Sequence, residues 1–574
     1  MRILTKFMKP YRSRIALMFA LLLLQAVGML IIPTLMADIV NKGIMNGDTG
    51  YIWKTSLVML AAAVLVAGIS AVHIYLAADN AALIGRDIRN ELFRKTQELS
   101  VQDFNQFGTG SMITRCTNDV VQIQTGFSTI VELLLPAPFM TIAGLLLTFS
   151  KDRVLALTLI GFMAVILIFA LILSRKAIPM FDKLLIMLDE MNRGVLEKLS
   201  GVRVIRAFNR AGYEKERMDD TFTVYGNMGI RINRLFAVLM PLITLIMNLC
   251  TLLIIGLGNS RLQTGGMALG DLYAVIEYAA LTLTFLIMGL SAIVTIPRMN
   301  ISMRRVDQVL ETKNSIPDAG HWLAETQDAA ELEFRNVSFG YGQAEQNILS
   351  GITFSLHKGQ TTAIIGSTGS GKSTVLNLLM RFFEPSEGQI LLSGTDIRTL
   401  SVGKYRAVIG YVPQKAFLFS GTIADNLRHG KENATVEEMR AAIQTAQLSE
   451  FVDALEDGLD ARVSQGGANF SGGQRQRLAI ARALIRKPAI YAFDDSFSAL
   501  DFKTDALLRR ALKQETMDAA VLIVAQRVST IMDAEQIIVL EDGKIAGSGT
   551  HTELMASCPA YQQIVSSQRK EAAR

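Results

Sequence analysis

Over the first 300 positions apolar residues come in runs, and six of these are long enough to cross a bilayer: about 15–40, 53–78, 127–150, 154–174, 235–258 and 272–297. The connections between them alternate in character. Runs one and two, three and four, and five and six are joined by short, nearly charge-balanced loops carrying Lys42 with Asp48, Lys151 and Arg153 with Asp152, and Arg261 with Asp271. The other two connections, about 79–126 and 175–234, are long, helix-compatible and rich in Arg and Lys, as cytoplasmic segments are. The segment 1–14 carries Arg2, Lys6, Lys9, Arg12 and Arg14 among apolar residues and can lie on an anionic cytoplasmic leaflet. An N-terminus inside and six crossings place both termini in the cytoplasm, with the cytoplasmic membrane as the expected location.

Helical patterning continues the runs beyond bilayer thickness, so the polar connections are expected to project into the cytosol. Glycines break the pattern within 103–120 (DFNQFGTGSMITRCTNDV) and 196–210 (LEKLSGVRVIRAFNR). Either a short transverse helix or a plain solvated hairpin satisfies each break. Ionisable residues inside a membrane span are costly and mark candidate functional positions. Glu277, about two turns into the sixth run, and Glu132, near the inner end of the third, can each attract a cationic substrate in a central cavity or pair with a neighbouring helix. His73, Gln25 and Asn248 read as interhelical hydrogen-bonding groups.

Hydrophobicity falls after about residue 300, and a linker is expected over 301–330. From 331 the pattern changes to strand alternation, ELEFRNVSFGY, and then to strands alternating with helices. The expected organisation is a cytoplasmic N-terminal segment (1–14), an all-α polytopic membrane domain (15–300), the linker, and an α/β phosphate-loop domain (331–574). Composition agrees: 50% of residues are hydrophobic and mean hydropathy is +0.32, which makes the lipid bilayer a partner. A net charge of +5, with no basic face interleaved with aromatics, argues against nucleic acid. Cys116, Cys250 and Cys558 stand far apart, without a C-x-x-C or a histidine at ligand spacing, which argues against a disulfide framework and a zinc site.

The chemistry concentrates in 361–379, TTAIIGSTGSGKSTVLNLL. A β-branched run enters a Gly-rich turn and leaves as a helix, the context that G-x-x-x-x-G-K-S requires. Gly366, Gly369 and Gly371 let successive N–H groups point at phosphate oxygens, with Ser367, Thr368, Ser370 and Thr374 completing the loop. Lys372 can reach the β- and γ-phosphates and Ser373 can ligate Mg²⁺, so ATP and Mg²⁺ are the expected cofactors. Tyr341, in a turn before this loop, can stack on a purine. AIYAFDDSFSALD (489–501) is an apolar strand ending in Asp494, where a Mg²⁺ ligand is needed, and Asp495, where a base for the attacking water belongs. Ser471, Gly472, Gly473 and Gln474 open a basic helix and make a second anion site. One chain has no use for two phosphate sites on one nucleotide, so a second subunit is expected, each subunit donating its Ser-Gly-Gly turn to the other.

With these residues the chain resembles the ABC exporter family over nearly its whole length. GSTGSGKST matches Walker A, YVPQ with Gln414 the Q-loop, FSGGQ the signature, IYAFDD Walker B, and SALD with Asp501 the D-loop. The resemblance implies six membrane helices, coupling helices at the two Gly-broken segments, Gln414 beside the metal, and ATP-driven alternating access. Two departures narrow it. The usual catalytic Glu is Asp495 and the usual switch His is Gln526. Asp withdraws its carboxylate by roughly 1 to 1.5 Å, and a misplacement of about 1 Å can cost on the order of 100-fold. Gln526 can hydrogen-bond a phosphate but cannot become an imidazolium. An intact signature beside a weak Walker B looks like the degenerate-site half of a heterodimeric bacterial multidrug exporter, whose partner half-transporter would carry Glu and His and whose cargo would be a small amphipathic compound. A homodimeric lipid or peptide exporter and a nucleotide-gated regulatory subunit are the alternatives.

Overall fold

A computed structural model of the chain describes residues 2–320, 331–342 and 346–572. They divide into two compact units: Met1–Gln97 with Gly108–Thr312, and Glu98–Phe107 with Lys313–Arg574.

Among the described residues, the first unit has six helices long and apolar enough to cross a membrane: α1 (Leu4–Ile44), α2 (Thr49–Glu98), α3 (Thr109–Lys151), α4 (Arg153–Ser200), α5 (Ala211–Gln263) and α6 (Leu269–Glu311). Each outruns its apolar stretch. At 1.5 Å per residue, the 50 residues of α2 extend about 75 Å, against about 30 Å of hydrocarbon. Pro297, where the sixth apolar run stops, lies inside α6, just as Pro33, Pro179 and Pro241 lie inside α1, α4 and α5. Prolines are tolerated there because neighbouring helices and Ser or Thr side chains satisfy the freed carbonyls.

The outward faces of these helices are apolar. Trp53, Leu57, Leu60 and Val64 of α2 are all more than half exposed, an arrangement that only hydrocarbon solvates favourably. Inside, small residues bring the helices close: a Cβ on Gly144 of α3 would fall 2.1 Å from Thr282 Oγ1 of α6. The short loops are tied by crossed ion pairs. Lys151 meets Asp271 at 2.7 Å and Arg261 meets Asp152 at 2.9 Å, while Asp152 also caps the start of α4 through the N–H groups of Val154 and Leu155. Lys42 pairs with Asp38, not with Asp48.

Both Gly-marked breaks hold short helices, so the plain-hairpin reading falls away. Val101–Phe107 is closed by Gly108 at φ +75°. Val202–Ala207 follows Gly201 and is closed by Asn209 at φ +50°.

The second unit has an antiparallel sheet of order β2-β1-β4-β5, made of β1 (Glu331–Phe339), β2 (Leu349–His357), β4 (Glu387–Leu392) and β5 (Thr395–Asp396). A six-stranded sheet of order β12-β11-β3-β10-β9-β6 contains β3 (Thr361–Gly366), β6 (Ile409–Val412), β9 (Ile490–Asp494), β10 (Ala520–Val524), β11 (Gln536–Glu541) and β12 (Lys544–Gly549). The short β7 (Gly421–Thr422) and β8 (Arg462–Val463) pair with each other. All neighbours in the larger sheet are parallel except β11 and β12. β9 and β10 are buried along their full length, as strands covered on both faces must be. Parallel pairing through β10 brings the C-terminal ends of β3 and β9 to one edge. Helices α7 (Lys372–Leu379), α8 (Gly472–Leu484), α9 (Phe502–Glu515) and α10 (Pro559–Ala572) are the ones that bear on the site, among other helices of the unit.

Candidate nucleotide site

At its C-terminal end β3 meets β11 so closely that a Cβ on Gly366 would lie 2.2 Å from the Leu540 carbonyl oxygen. The chain then curls through Gly369 at φ +87° and Gly371 at φ +98° into α7, a path that side chains with a Cβ rarely take. Ser367, Thr368 and Gly369 are exposed on the curl. Lys372 crosses beneath it and donates from Nζ to the carbonyls of Gly366, at 2.8 Å, and Ser367, at 2.7 Å. Burial pulls the Lys372 pKa down, against the opposing pull of Asp495 and Asp494. The Ser370 hydroxyl is buried without a hydrogen-bond partner among the described residues.

β9 delivers the acidic pair to the same edge. Ser373, the second residue of α7, donates from Oγ to Asp494 Oδ1 at 3.4 Å. Asp494 and Asp495 are only 7% and 8% exposed. Burial raises the Asp494 pKa, and the neighbouring Asp495 charge adds to the rise, while Ser373 and Lys372 oppose it. Two buried adjacent carboxylates facing one lysine leave negative charge to be balanced. A hard divalent cation, which takes oxygen ligands, fits that donor set. Gln414 donates from Nε2 to Asp495 Oδ2 at 3.2 Å, so the structure places it on Asp495 rather than on Asp494. Asp495 itself stands at φ +45°, pinned by its N–H to the Val524 carbonyl at 2.8 Å and by Ser498 Oγ to its own carbonyl at 2.8 Å.

Tyr341 stands edge-on to Phe339 and Phe383, with ring centroids 4.9 and 5.0 Å away. Its hydroxyl accepts from Asn377 Nδ2 at 3.1 Å and lies 3.5 Å from Thr374 Oγ1, which fixes a partly exposed ring beside the phosphate loop. Ser471 caps α8 reciprocally: its Oγ accepts from Gln474 N at 3.2 Å, and its N–H donates to Gln474 Oε1 at 2.7 Å. Ser471 and Gly472 are exposed and Gly473 is half-buried. Phe470 anchors the turn in the core against Phe451. No hydrogen bond among the described residues links 471–474 to Lys372, Ser373 or Asp494. Asp501 caps α9 by accepting from Thr504 N at 3.0 Å, a bond that holds its carboxyl below the usual range. Gln526 is exposed just after β10.

Sequence reasoning missed Gln568 of α10. Its Nε2 donates to the Gln526 carbonyl at 2.6 Å and its Oε1 accepts from Val528 N at 2.8 Å, so one side chain clamps both ends of the segment bearing Gln526. A polar residue on an amphipathic C-terminal helix gives no signal of this.

In the membrane unit the structure separates the two candidate acids. Glu132 lines a cavity of about 210 Å³ with Gln25 and His73, whereas Glu277 is half-buried on α6 and is not part of its lining. Of the groups read as interhelical hydrogen-bonding, Gln25 Oε1 and His73 Nε2 are buried with no partner among the described residues.

The comparisons agree with this arrangement. Residues 15–286 match the ABC transporter transmembrane region and residues 349–498 the ABC transporter family. An ABC transporter ATP-binding protein of Mycobacterium tuberculosis is 36% identical over 570 residues, covering 99% of this chain and 98% of its own length. The chain belongs to the ABC transporter family. The ABC transporter ATP-binding protein YfiB of Bacillus subtilis is also 36% identical, over 98% of this chain and 97% of its own. A solved bacterial Atm1-family ABC exporter with ATP bound shares the fold, at a TM-score of 0.81 and 24% identity over 97% of this chain and 98% of that one. This ABC transporter is thus a multi-pass membrane region fused to a nucleotide-binding domain, in the ABC exporter fold.

Proposed function

We propose that this chain is one half of an ATP-driven heterodimeric exporter that moves drugs or other amphipathic compounds outward across the cytoplasmic membrane, with both termini inside. Lys372 and the glycine loop hold the nucleotide phosphates, Tyr341 faces the base, and Ser373, Asp494 and Gln414 would hold Mg²⁺, whose bound charge would shield the phosphates. The chain's own site turns over slowly, while Ser471, Gly472, Gly473 and Gln474 complete a faster site with the partner's nucleotide and Asp501 faces across the same interface.

One observation carries the asymmetry. Asp495 is fixed by its backbone at φ +45° and held by Gln414, so a carboxylate one methylene short has little freedom to make up the missing reach. A 1 Å shortfall is worth on the order of 100-fold. Gln526, for its part, lacks the charge an imidazolium would offer. The signature turn, by contrast, has its cap fully formed.

Purifying the chain without a partner tests the reading. Mg-ATP should bind, with Lys372→Ala weakening binding, and hydrolysis should be slow. Brisk turnover by the lone chain would favour a symmetric homodimer and overturn the proposal.

A further inference from the structure

Halfway along α3 the helix widens into a π-turn, Ile130–Leu134, closed by the Leu135 N–H to the Ile130 carbonyl at 2.8 Å. Pro136 follows and has no N–H to continue the ladder, which explains why the slack gathers here. π-turns of this kind frequently mark functional positions. The turn places Glu132, an exposed side chain, in the lining of the cavity between α1, α2, α3 and α6 that also includes Gln25 and His73.

His73 is 3% exposed and, among the described residues, neither its Nε2 nor the buried Gln25 Oε1 has a partner. Buried polar atoms are paired in folded proteins in the large majority of cases, with protein or a bound molecule. Two unpaired acceptors and one carboxylate around the same space therefore offer a polar cluster that a donor-bearing ligand can satisfy. The remaining wall is apolar and adaptable, with Met29, Met140 and Phe285. Among the described residues no lysine or arginine lines it, and Glu132 is the acidic side chain of the lining.

The geometry points to a binding site for a primary ammonium on a compact apolar body. Glu132 pairs with the charge, Gln25 Oε1 and the imidazole accept N–H bonds, and the thioethers and Phe285 pack on the hydrocarbon, with the Phe285 face adding attraction for a cation. About 210 Å³ suits a body of one or two fused rings. This site names a cargo class for the export reading and rests on it for its purpose, but binding itself requires no ATP.

The test uses the full chain, with any partner that copurifies, in nanodiscs of phosphatidylcholine and phosphatidylglycerol. The probes are 1-naphthylmethylammonium and its neutral isostere 1-naphthylmethanol, read by equilibrium dialysis. The amine should bind roughly 10- to 100-fold more tightly, the range set by a charged hydrogen bond, and Glu132→Gln should erase that preference. Should that variant fail to fold, Gln25→Met, which keeps the volume and loses an acceptor, must lower the preference on its own. Equal affinities for amine and alcohol, or an amine preference that survives both substitutions, would overturn the site. Phosphatidylethanolamine in the nanodisc distinguishes the source: displacement of the amine assigns the site to a lipid headgroup, and undisturbed binding assigns it to a free amine. ATP-driven uptake by inside-out vesicles separates the two readings. Amine binding without ATP-driven uptake of any cargo sinks export alone, and ATP-driven uptake of other cargo without amine binding sinks this site alone.

Discussion

The carboxylate at position 495 hangs from one methylene where a glutamate would have two, and its backbone sits in the left-handed region, at φ +45°. Asp tolerates that region several-fold better than most residues, so the short side chain and the strained backbone are compatible with each other. Asp495→Glu trades a little backbone comfort for reach. If reach limits the chemistry, ATP turnover by the purified chain should rise roughly tenfold or more; an unchanged rate would mean that something else is limiting. Gln568 acts at the same scale on the neighbouring segment. Gln568→Ala removes two hydrogen bonds, each worth about 1 kcal/mol. Amide exchange over 526–530 should accelerate while nucleotide affinity stays the same, and exchange indistinguishable from the parent would deny Gln568 its clamping role.

Among elements, the short helix Val101–Phe107 is the best tied of the two interhelical turns. Asp103, 5% exposed, accepts from the Ser315 N–H at 2.8 Å and from Ser100 Oγ at 2.7 Å, while Asn314 bridges Ser100 N and the Glu98 carbonyl. Burial pushes the Asp103 carboxyl up, yet the bonds from Ser315 and Ser100 outweigh it and hold the pKa below the ordinary value. A lowered folded pKa means the stabilisation is present above the unfolded value, about 4, and is lost as pH falls through the folded one. At pH 7 the tie is therefore complete. Asp103→Asn should loosen it by about 1–2 kcal/mol, seen as faster amide exchange across 98–107 at pH 7, with the gap to the parent closing below about pH 4; a pH-independent gap would contradict this account. The Gly breaks made this helix foreseeable, and the apolar runs foretold six spans, because both signals depend on near neighbours in the chain. Asp103 binding a residue 212 positions away leaves no such local trace. The same holds for Gln25, His73 and Glu132, which three different helices bring around one cavity, and for the π-turn at Ile130–Leu134, which composition does not announce. The phosphate loop was the most legible feature of all, since strand, glycine spacing and helix lie within twenty residues of one another.

For the assembled molecule, the proposed pairing has this chain's residues divide between two ATP sites, and that division can be tested. Gly472 opens α8, is exposed, and has open space where a Cβ would stand, so Gly472→Val should leave the chain folded and its own nucleotide loop untouched. What the added bulk would disturb is the approach of a phosphate to the α8 N-terminus, and in the proposed pairing that phosphate belongs to the partner's nucleotide. In the two-chain complex Gly472→Val should therefore lower phosphate release on the order of 100-fold, the usual scale for a misplacement of about 1 Å at the reacting atoms. Asp495→Ala, which touches only the slow site, should cost far less. A symmetric homodimer makes the opposite forecast: every site then contains both a 472 and a 495, and either substitution disables all of them. Measuring phosphate release for the two variants side by side, with nucleotide occupancy recorded for each, decides between the architectures, and equal losses would abandon the division of labour.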